Sequence, residues 1–431
     1  MDTTPPETAA RHPPSRIVLS PTGAILLAIS FGLCAGYLDL GFILFKRLCW
    51  NAEGYFRTAR DFPWTVPIGH AVLLLIPGVV VASVNRIRPG LVSLRAGASL
   101  FAAIAIWGAL LRMPLYGACS LVLAAGLGRL IGDAVGSRVL CTRPARYGLA
   151  VLVGLLGILA AVSSGRQAVG EYRAVAALPS PPASARNVVL IVWDTVRAFN
   201  LSLYGYPRDT TPNLVRWARQ GVTYKRAVSP APWTFPAHAS FFTGQWPIRL
   251  NSQWKFKLDA PYPTLAEYLA SRGYQTAGFA ANTNCCSYET GLGRGFAHFE
   301  DYSLTPRSLL ARTVPGNWIL TNILSRSDFY DKKWIGIQSR GAREINAAFL
   351  NWLSRRRSDR PFFAYLNYFD AHEPYVPPAG YEGHFGTGPK TREDFQYILD
   401  YVGAPKGSAY QQSILMARDC YDDCKIGRAH V

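Results

Sequence analysis

The stretch Asn187-Val-Val-Leu-Ile-Val192, followed by Trp193 and Asp194, decides the fold of the second half of the chain. A continuous run of β-branched and aliphatic residues is typical of a parallel strand buried on both faces. Asp194 then stands at the carboxyl end of this strand, where open parallel α/β sheets carry their active sites. The run therefore predicts a central strand that ends in a functional carboxylate.

Strand and helix signals alternate through the rest of this half. Thr211-Pro212 opens a predicted helix that reaches Gln220 and stops at Gly221, because proline suits the first turn and glycine the end. The pattern predicts further strands over 222–228, 275–281 and 361–369, and further helices over 264–271 and 340–355. This alternation predicts an α/β layer fold with a mainly parallel central sheet.

The first third of the chain is far more apolar than the remainder. Hydrophobic residues make up 49% of the whole chain and charged residues only 17%, which is unusual for a soluble protein. Apolar runs occur at 25–45, 66–84, 98–111, 115–131 and 149–162, and the first two approach the roughly 20 residues of a spanning helix. We therefore predict a helical membrane domain of about five spans over 1–165. A linker is predicted over 166–186.

The distribution of charge predicts how the chain is oriented and excludes one class of partner. The formal net charge is +18, but the basic residues are scattered arginines and form no basic stripe with interleaved aromatic residues. Nucleic acid is therefore not an expected partner, whereas the lipid bilayer is. Lys and Arg favour the segments that would lie inside, about nine against five. This bias predicts a multi-pass protein of an inner or plasma membrane, with the α/β domain periplasmic or extracellular.

A second segment carries residues suited to ester chemistry. It reads Thr234-Phe-Pro236-Ala-His238-Ala-Ser-Phe-Phe-Thr-Gly244, with proline near the start of a predicted helix and glycine at its end. Thr234 would then lie at a helix N-terminus, which attracts anions such as phosphate or sulfate. A metal ion nearby would lower the pKa of the hydroxyl and make it a nucleophile. Taken singly, Thr234 would be interpreted as a helix cap and Asp194 as a turn residue.

Several segments of the second half together resemble the sulfatases of the alkaline-phosphatase superfamily, in the family's order over 187–424. The segments are Asn187 to Arg197, Leu203-Tyr-Gly205-Tyr, Thr211-Pro-Asn-Leu214, Gly221-Val222, Thr234 to Gly244 and Phe369-Asp-Ala-His372-Glu-Pro-Tyr375. The resemblance implies an alkaline-phosphatase-like α/β domain that binds a divalent metal (Ca, Mg, Mn or Zn) through Asp194 and Thr234. It also implies that Thr234 is the catalytic nucleophile and that His238 and His372 bind the substrate.

Two residues depart from the family's pattern. Sulfatases carry a cysteine that is oxidised to formylglycine, which Thr234 cannot become, and Thr195 stands where a second metal-binding aspartate is expected. Thr-Phe-Pro-x-His is also similar to the nucleophile segment of nucleotide pyrophosphatases/phosphodiesterases. Five spans before an outer domain are similar to lipoteichoic acid synthases and phosphoethanolamine transferases, which also use threonine nucleophiles.

Three functions remain open from the sequence. The first is a metal-dependent sulfatase-family hydrolase of sulfate or phosphate esters, with an envelope lipid or glycan as substrate. The second is an envelope phosphoethanolamine or phosphoglycerol transferase, and the third is a catalytically dead, membrane-tethered protein that binds anions. Lys255 and Lys257 lie outside any motif and are interpreted as solvated loop lysines rather than as contacts to the substrate anion.

The last residues do not continue the family's pattern. Sulfatases complete their metal site with an Asp-His pair farther along the chain, so the α/β domain is expected to be incomplete at its C-terminus. The heptapeptide Lys425-Ile-Gly-Arg-Ala-His-Val431 corresponds to the in-frame translation of a common sequencing adapter up to its stop codon. We therefore expect 425–431 to be a sequencing artefact and do not count His430 as a metal ligand.

Overall fold

The computed structural model describes residues 17–50, 59–137, 142–252, 256–322, 340–373, 375, 377, 383–386 and 408–429. The chain falls into two compact units. One comprises 1–40 and 66–157, and the other comprises 41–65 and 158–431. The first unit contains most of the apolar helices. The second contains the α/β domain together with the segment that joins the first two helices.

Five apolar helices occupy the five predicted runs. They are α1 (Pro21–Phe45), α2 (Phe62–Ile87), α3 (Leu94–Leu110), α4 (Gly117–Ser137) and α5 (Thr142–Ala176), with a π-helical turn over Lys46–Trp50. Within the described residues, four of them are long and apolar enough to cross a membrane, whereas α3 is a shorter apolar helix. The fifth helix, α5, continues to Ala176, well into the segment 166–186 that was predicted as a linker.

Close packing and one buried polar cluster join the helices of the first unit. A Cβ on Gly36 of α1 would lie 2.4 Å from the Cα of Pro67 of α2, so only glycine permits this approach, as is common between membrane helices. Nearby, the Nε2 atom of His70 lies 3.0 Å from Asp39 Oδ2, and Arg112 pairs with the other oxygen of Asp39. Asp39 is thus paired with two basic side chains, as ionisable groups among apolar helices generally are.

The α/β domain is built on a parallel sheet of four strands. They are β1 (Val188–Trp193), β2 (Gln275–Ala280), β3 (His298–Glu300) and β4 (Phe362–Tyr368), in the order β1-β4-β2-β3. All three pairings are parallel. The helices are α6 (Pro212–Ala218), α7 (Thr234–Thr243), α8 (Leu265–Ser271), α9 (Thr283–Cys286), α10 (Pro306–Ala311), α11 (Val314–Asn322), α12 (Ala342–Arg355) and α13 (Ser408–Ala429). The predicted α/β class and parallel sheet are confirmed.

Helices cover both faces of the sheet because side chains alternate along its strands. In β4, Phe363 and Tyr365 face a core that includes Phe242 of α7. Phe362 and Leu366 face the opposite core, together with residues of α12. This sandwich places the carboxyl ends of β1, β2 and β4 along one edge, beside the start of α7.

The structure corrects two expectations and adds one strand. Residues 222–228 are not a strand, and Val222 and Val228 are 82% and 89% exposed, because no described strand lies beside them. The strand β1 is not buried on both faces: Val189 and Ile191 are exposed because β1 is an edge strand of the described sheet. The short strand β3 was not predicted, since three residues carry no periodic signal.

His298, for which the sequence offers no motif, joins α5 to the edge of the sheet. Its two ring nitrogens each lie 3.0 Å from a carboxylate oxygen, of Glu171 on α5 and of Glu300 on β3. Burial lowers the pKa of His298, but the hydrogen bonds to both carboxylates outweigh burial and raise it to about 9. The imidazolium therefore stabilises the folded state at neutral pH.

We expect His298→Gln to lower stability at pH 6.5 and to have little effect above pH 9. The folded pKa is higher than the unfolded value near 6.5, so the stabilisation is complete below that value and is lost as the pH rises through about 9. The difference between these two pKa values corresponds to about 3 kcal/mol at most. Thermal melts of the detergent-purified chain at both pH values test this. Glu171→Gln is the control, because losing one carboxylate partner of His298 should weaken the same pH dependence. If His298→Gln lowered the melting temperature equally at both pH values, the prediction would be wrong.

Candidate active site

The site is assembled where three parallel strands end. The N–H of Asp194 donates to the carbonyl oxygen of Tyr368 at 2.9 Å, which fixes the end of β1 against the end of β4. Asn367 Oδ1 accepts from the N–H of Asn282, directly after β2, at 2.8 Å. The side-chain amide of Asn282 in turn donates to Asp194 Oδ2 at 2.8 Å. One carboxylate and two amides are thus held in fixed positions at the edge of the sheet.

Thr234 approaches this carboxylate from the start of α7. The helix begins at Thr234, its N-cap residue is Trp233, and no side chain caps it. The Thr234 Oγ1 atom lies 3.2 Å from Asp194 Oδ1 and 3.5 Å from Oδ2, so the hydroxyl donates to the carboxylate. The interpretation of Thr234 as a helix cap therefore fails, because its side chain is directed at Asp194 instead of at its own backbone.

His238 lies one turn farther along α7, and its burial favours the neutral imidazole. Burial lowers its pKa, against the opposing effects of the Asp194 charge and the Thr234 carbonyl. Its Nδ1 lies 2.7 Å from that carbonyl oxygen and so carries the proton. Its Nε2 is buried with no hydrogen-bond partner among the described residues, which leaves a lone pair available within the site.

Thr195, which follows Asp194, has an unusual backbone conformation. Its φ of 60° is the left-handed region, which is a costly conformation for a β-branched residue. The hydroxyl of Thr195 donates to the carbonyl oxygen of Ala371 at 3.0 Å, so it joins the turn after β1 to the turn after β4. Such a strained turn beside Asp194 is typical of functional sites.

His372 lies in the turn after β4, near this edge of the sheet but engaged by its own turn. The His372 ring stacks on Phe369 with centroids 4.2 Å apart. Its Nδ1 lies 2.8 Å from the carbonyl oxygen of Glu373. The structure thus brings Asp194, Thr234 and His238 together and leaves the role of His372 a prediction. Lys255 and His430 lie outside the described residues.

Within the described residues, no cationic side chain forms an ion pair with Asp194. The residue is 6% exposed, and its bonded partners are neutral: a hydroxyl, an amide and a backbone carbonyl. No Lys, Arg or His nitrogen of the described chain lies within ion-pair distance of it. A buried, unpaired carboxylate is costly, so this arrangement suits a cation.

A divalent metal would fit one side of this site. Asp194 and Thr234 present oxygen atoms that could bind a metal. Mg²⁺ and Ca²⁺ prefer oxygen ligands, and Zn²⁺ and Mn²⁺ also bind them. The described part of the chain contains no group of three His, Cys, Asp or Glu side chains that could hold a metal. Among the described residues, Asp194 and Thr234 would thus be the oxygen ligands that such a cation finds here.

The family model for sulfatases matches residues 186–424, more than half of the chain. The chain belongs to the sulfatase family. The match covers the whole sheet, together with Asp194, Thr234, His238 and His372. The matched residues therefore include the carboxyl ends of the strands and the start of α7, which together form the candidate site.

The relatives and similar structures cover different parts of the chain. Bovine arylsulfatase A is 26% identical over 243 residues, which are 49% of this chain and 46% of that protein. Human arylsulfatase A is 34% identical over 107 residues, or 23% and 20% of the two chains. The integral membrane protein lipooligosaccharide phosphoethanolamine transferase A from Neisseria meningitidis is 15% identical, covers 95% of this chain and 78% of that chain, and has a TM-score of 0.36. The chain spans less than half the length of these two arylsulfatases.

Sequence reasoning did not find the two amides that complete the site. Asn282 and Asn367 each lie at or just after the end of a predicted strand, which is the only signal that marks them. An asparagine at a strand end is common in turns, so the position alone has little weight. Their importance appears only when the sheet order places β4 between β1 and β2.

Proposed function

We propose that this chain is part of a membrane-bound enzyme that cleaves sulfate or phosphate esters through Thr234. The observation that supports this most is the 3.2 Å contact between the Thr234 hydroxyl and the buried Asp194 carboxylate at a helix start. A hydroxyl in this position can attack an anion that is held by the helix N-terminus. The proposal includes dependence on a divalent metal.

Each residue has a separate role in this mechanism. Thr234 Oγ1 bonds to the sulfur or phosphorus atom, and the ester oxygen leaves with its electron pair and takes a proton. Asp194 orients the hydroxyl and is placed to accept its proton, while Asn282 holds the carboxylate in position. A divalent cation held by Asp194 and Thr234 would lower the pKa of the hydroxyl and offset the negative charge beside the substrate.

The two histidines would act differently. Because burial lowers the pKa of His238, it stays neutral and contacts the substrate or the metal through its free Nε2 lone pair. We assign His372 to the substrate anion and to protonation of the leaving oxygen, since its turn is bonded to the turn of Asp194 through Thr195 and Ala371.

The experiment that tests this proposal compares the full chain with Thr234→Ala on an aryl sulfate, a phosphate monoester and a phosphodiester, with and without divalent metals. The ester cleaved only by the unaltered chain identifies the substrate class. Transfer to an added alcohol in place of water would favour the transferase, since the same covalent threonine ester serves both reactions. Equal turnover by both proteins would show that Thr234 is not the nucleophile, whereas no turnover of any of the three esters by the unaltered chain would favour the anion-binding protein.

Contacts within the second unit support the orientation of the membrane part. The segment between α1 and α2 belongs to the same compact unit as the α/β domain. Arg47 pairs with Glu289 at 2.7 Å, and Arg312 pairs with Asp61 at 2.8 Å. The segment and the domain therefore lie on one side of the bilayer, so an even number of crossings separates them.

This parity bears on the short helix α3. Of the helices between the segment and the domain, α2, α4 and α5 are long enough to cross the bilayer. Three crossings would place the α/β domain on the opposite side of the bilayer from the segment, which their contacts exclude. We infer that α3 crosses as well: its 17 residues span about 26 Å at 1.5 Å per residue, close to the hydrocarbon thickness. With the N-terminus inside, as the positive charges indicate, the domain lies outside, beside envelope lipids and glycans.

Single cysteines on either side of α3 test this topology. We expect Tyr116→Cys, after α3, to react with a membrane-impermeant maleimide in intact cells, above the labelling of the unaltered chain. Arg88→Cys, before α3, should react only after detergent is added. Both side chains are exposed in the structure, so a difference reports sidedness and not burial. Protection of Tyr116→Cys in intact cells would show that α3 does not cross.

A further inference from the structure

The second unit contains a cavity that shares no residue with the Asp194 site. Its volume is about 540 Å³, within the range of small-molecule sites. One part of the wall comes from the segment between α1 and α2, and the other comes from 257–294 of the α/β domain. Its basic lining residues are Arg47, Arg60, Lys257 and Arg294, against one acidic residue, Glu289. The cavity is therefore strongly positive.

Two of these cations are already engaged by carboxylates. Arg47 pairs with Glu289 at 2.7 Å and also lies over the ring of Phe62, 4.2 Å from its centroid. Arg294 donates to backbone carbonyl oxygens and lies 3.5 Å from Glu267. These contacts hold Arg47 and Arg294 in place in the cavity wall. Because carboxylates already offset their charges, these two arginines are not the expected anion ligands.

The other two cations, Arg60 and Lys257, form no ion pair with a carboxylate of the described chain. Arg60 donates to the backbone carbonyl of Phe299 and lies over the ring of Tyr288 at 4.4 Å, while Lys257 is exposed. Neither has a carboxylate within ion-pair distance among the described residues. Both therefore attract an anion into a concave space, where a charge is less screened than on an open surface.

The position of the cavity indicates what kind of anion can reach it. Arg47 lies two residues beyond the end of α1, Arg60 lies two residues before α2, and the lining residue Phe62 is the first residue of α2. Since α1 and α2 are candidate spans, these residues lie where the spans leave the bilayer. The largely buried side chains of Phe62 and Leu258 also line the cavity and make part of its wall apolar, which suits the glycerol and first acyl carbons of a lipid.

We propose that this cavity binds the phosphate headgroup of an anionic glycerophospholipid from the outer leaflet, between Arg60 and Lys257. This rests on the proposed topology, which places the cavity on the outer surface, and not on the chemistry of Thr234. Bound there, the lipid bridges the segment between α1 and α2 to the α/β domain. The headgroup thereby fixes the second unit at the membrane surface.

The test is the binding of a fluorescent short-chain phosphatidylglycerol to the full chain in detergent. We expect Lys257→Glu to weaken this binding about tenfold or more, because a nearby basic residue becomes an acidic one, and Lys257→Gln to weaken it about threefold. Unlabelled phosphatidylglycerol should compete for the site, whereas phosphatidylcholine should compete poorly. Lys257 is exposed, so both variants should keep the melting temperature of the unaltered chain.

The control is Lys225→Glu, an identical charge reversal at an exposed lysine of the same unit that is not in the cavity lining. It should leave lipid binding unchanged. Equal weakening by Lys225→Glu and Lys257→Glu would show a general charge effect and overturn the site. Competition by glycerol phosphate as strong as by the lipid would overturn the lipid assignment, because it would identify a site for a soluble phosphate.

Discussion

Replacing Thr234 with alanine is expected to lower kcat/KM for the cleaved ester by about three orders of magnitude or more, because the attacking oxygen is lost. Thr234→Ser, which keeps the hydroxyl, should retain part of the activity. The fold should remain, because the Thr234 side chain does not cap α7 and, among the described residues, its hydroxyl bonds only to Asp194. Initial rates with saturating divalent metal measure the effect, and mass spectrometry of an acid-quenched reaction should find the covalent ester on Thr234.

A matched control lies at the other end of the same helix. Thr243 ends α7, and its hydroxyl donates to the carbonyl oxygen of Ala239 at 2.7 Å. Thr243→Ala should therefore leave the rate within about twofold, as expected for a residue outside the site. If Thr234→Ala and Thr243→Ala had similar rates, the nucleophile assignment would be wrong. If both variants were active, another group would be the nucleophile, and if the unaltered chain were inactive as well, the anion-binding protein would be the better account of this chain.

Most of the fold could be predicted from local patterns because its buried elements are strongly apolar. The strand after Asn187 and the strands near 275–281 and 361–369 appear within about two residues of their predicted bounds. The strand predicted at 222–228 did not form, because a strand depends on a partner edge as well as on its own β-branched residues. The strand β3 is the opposite case: its three residues have no sequence pattern of their own, but they form a strand because they pair with β2.

Some residues of the candidate site could likewise be predicted from local sequence, and others could not. Asp194 and Thr234 were found because each stands at a recognisable boundary, after a strand and at a helix start, and the structure places their oxygens 3.2 Å apart. Asn282 was not found, because its contact to Asp194 joins residues 88 positions apart. The cavity lined by Arg47 and Arg60 joins them to residues about 200 positions later. Such contacts depend on the topology of the chain, which local patterns do not specify.

Asp194→Asn is expected to have opposite effects on stability and activity. The amide can still accept from Asn282 and can donate to the Thr234 oxygen, so the hydrogen bonds survive while a buried, unpaired charge is removed. Without metal, the melting temperature should therefore rise by about 2–4 °C. Activity should fall by about two to three orders of magnitude, because the variant loses both the acceptor for the Thr234 proton and the charged metal ligand.

Metal titration separates these two roles of Asp194. Divalent metal should raise the melting temperature of the unaltered chain, because a ligand that binds only the folded state stabilises it, and should have little effect on Asp194→Asn. Asp301→Asn is the matched control: this carboxylate is also buried, but it accepts from the backbone N–H groups of Tyr288 and Tyr302 and lies outside the site. Asp301→Asn should keep the full response to metal. If Asp194→Asn lost activity but kept that response, Asp194 would act by orienting Thr234, and the metal would have to be held by other residues.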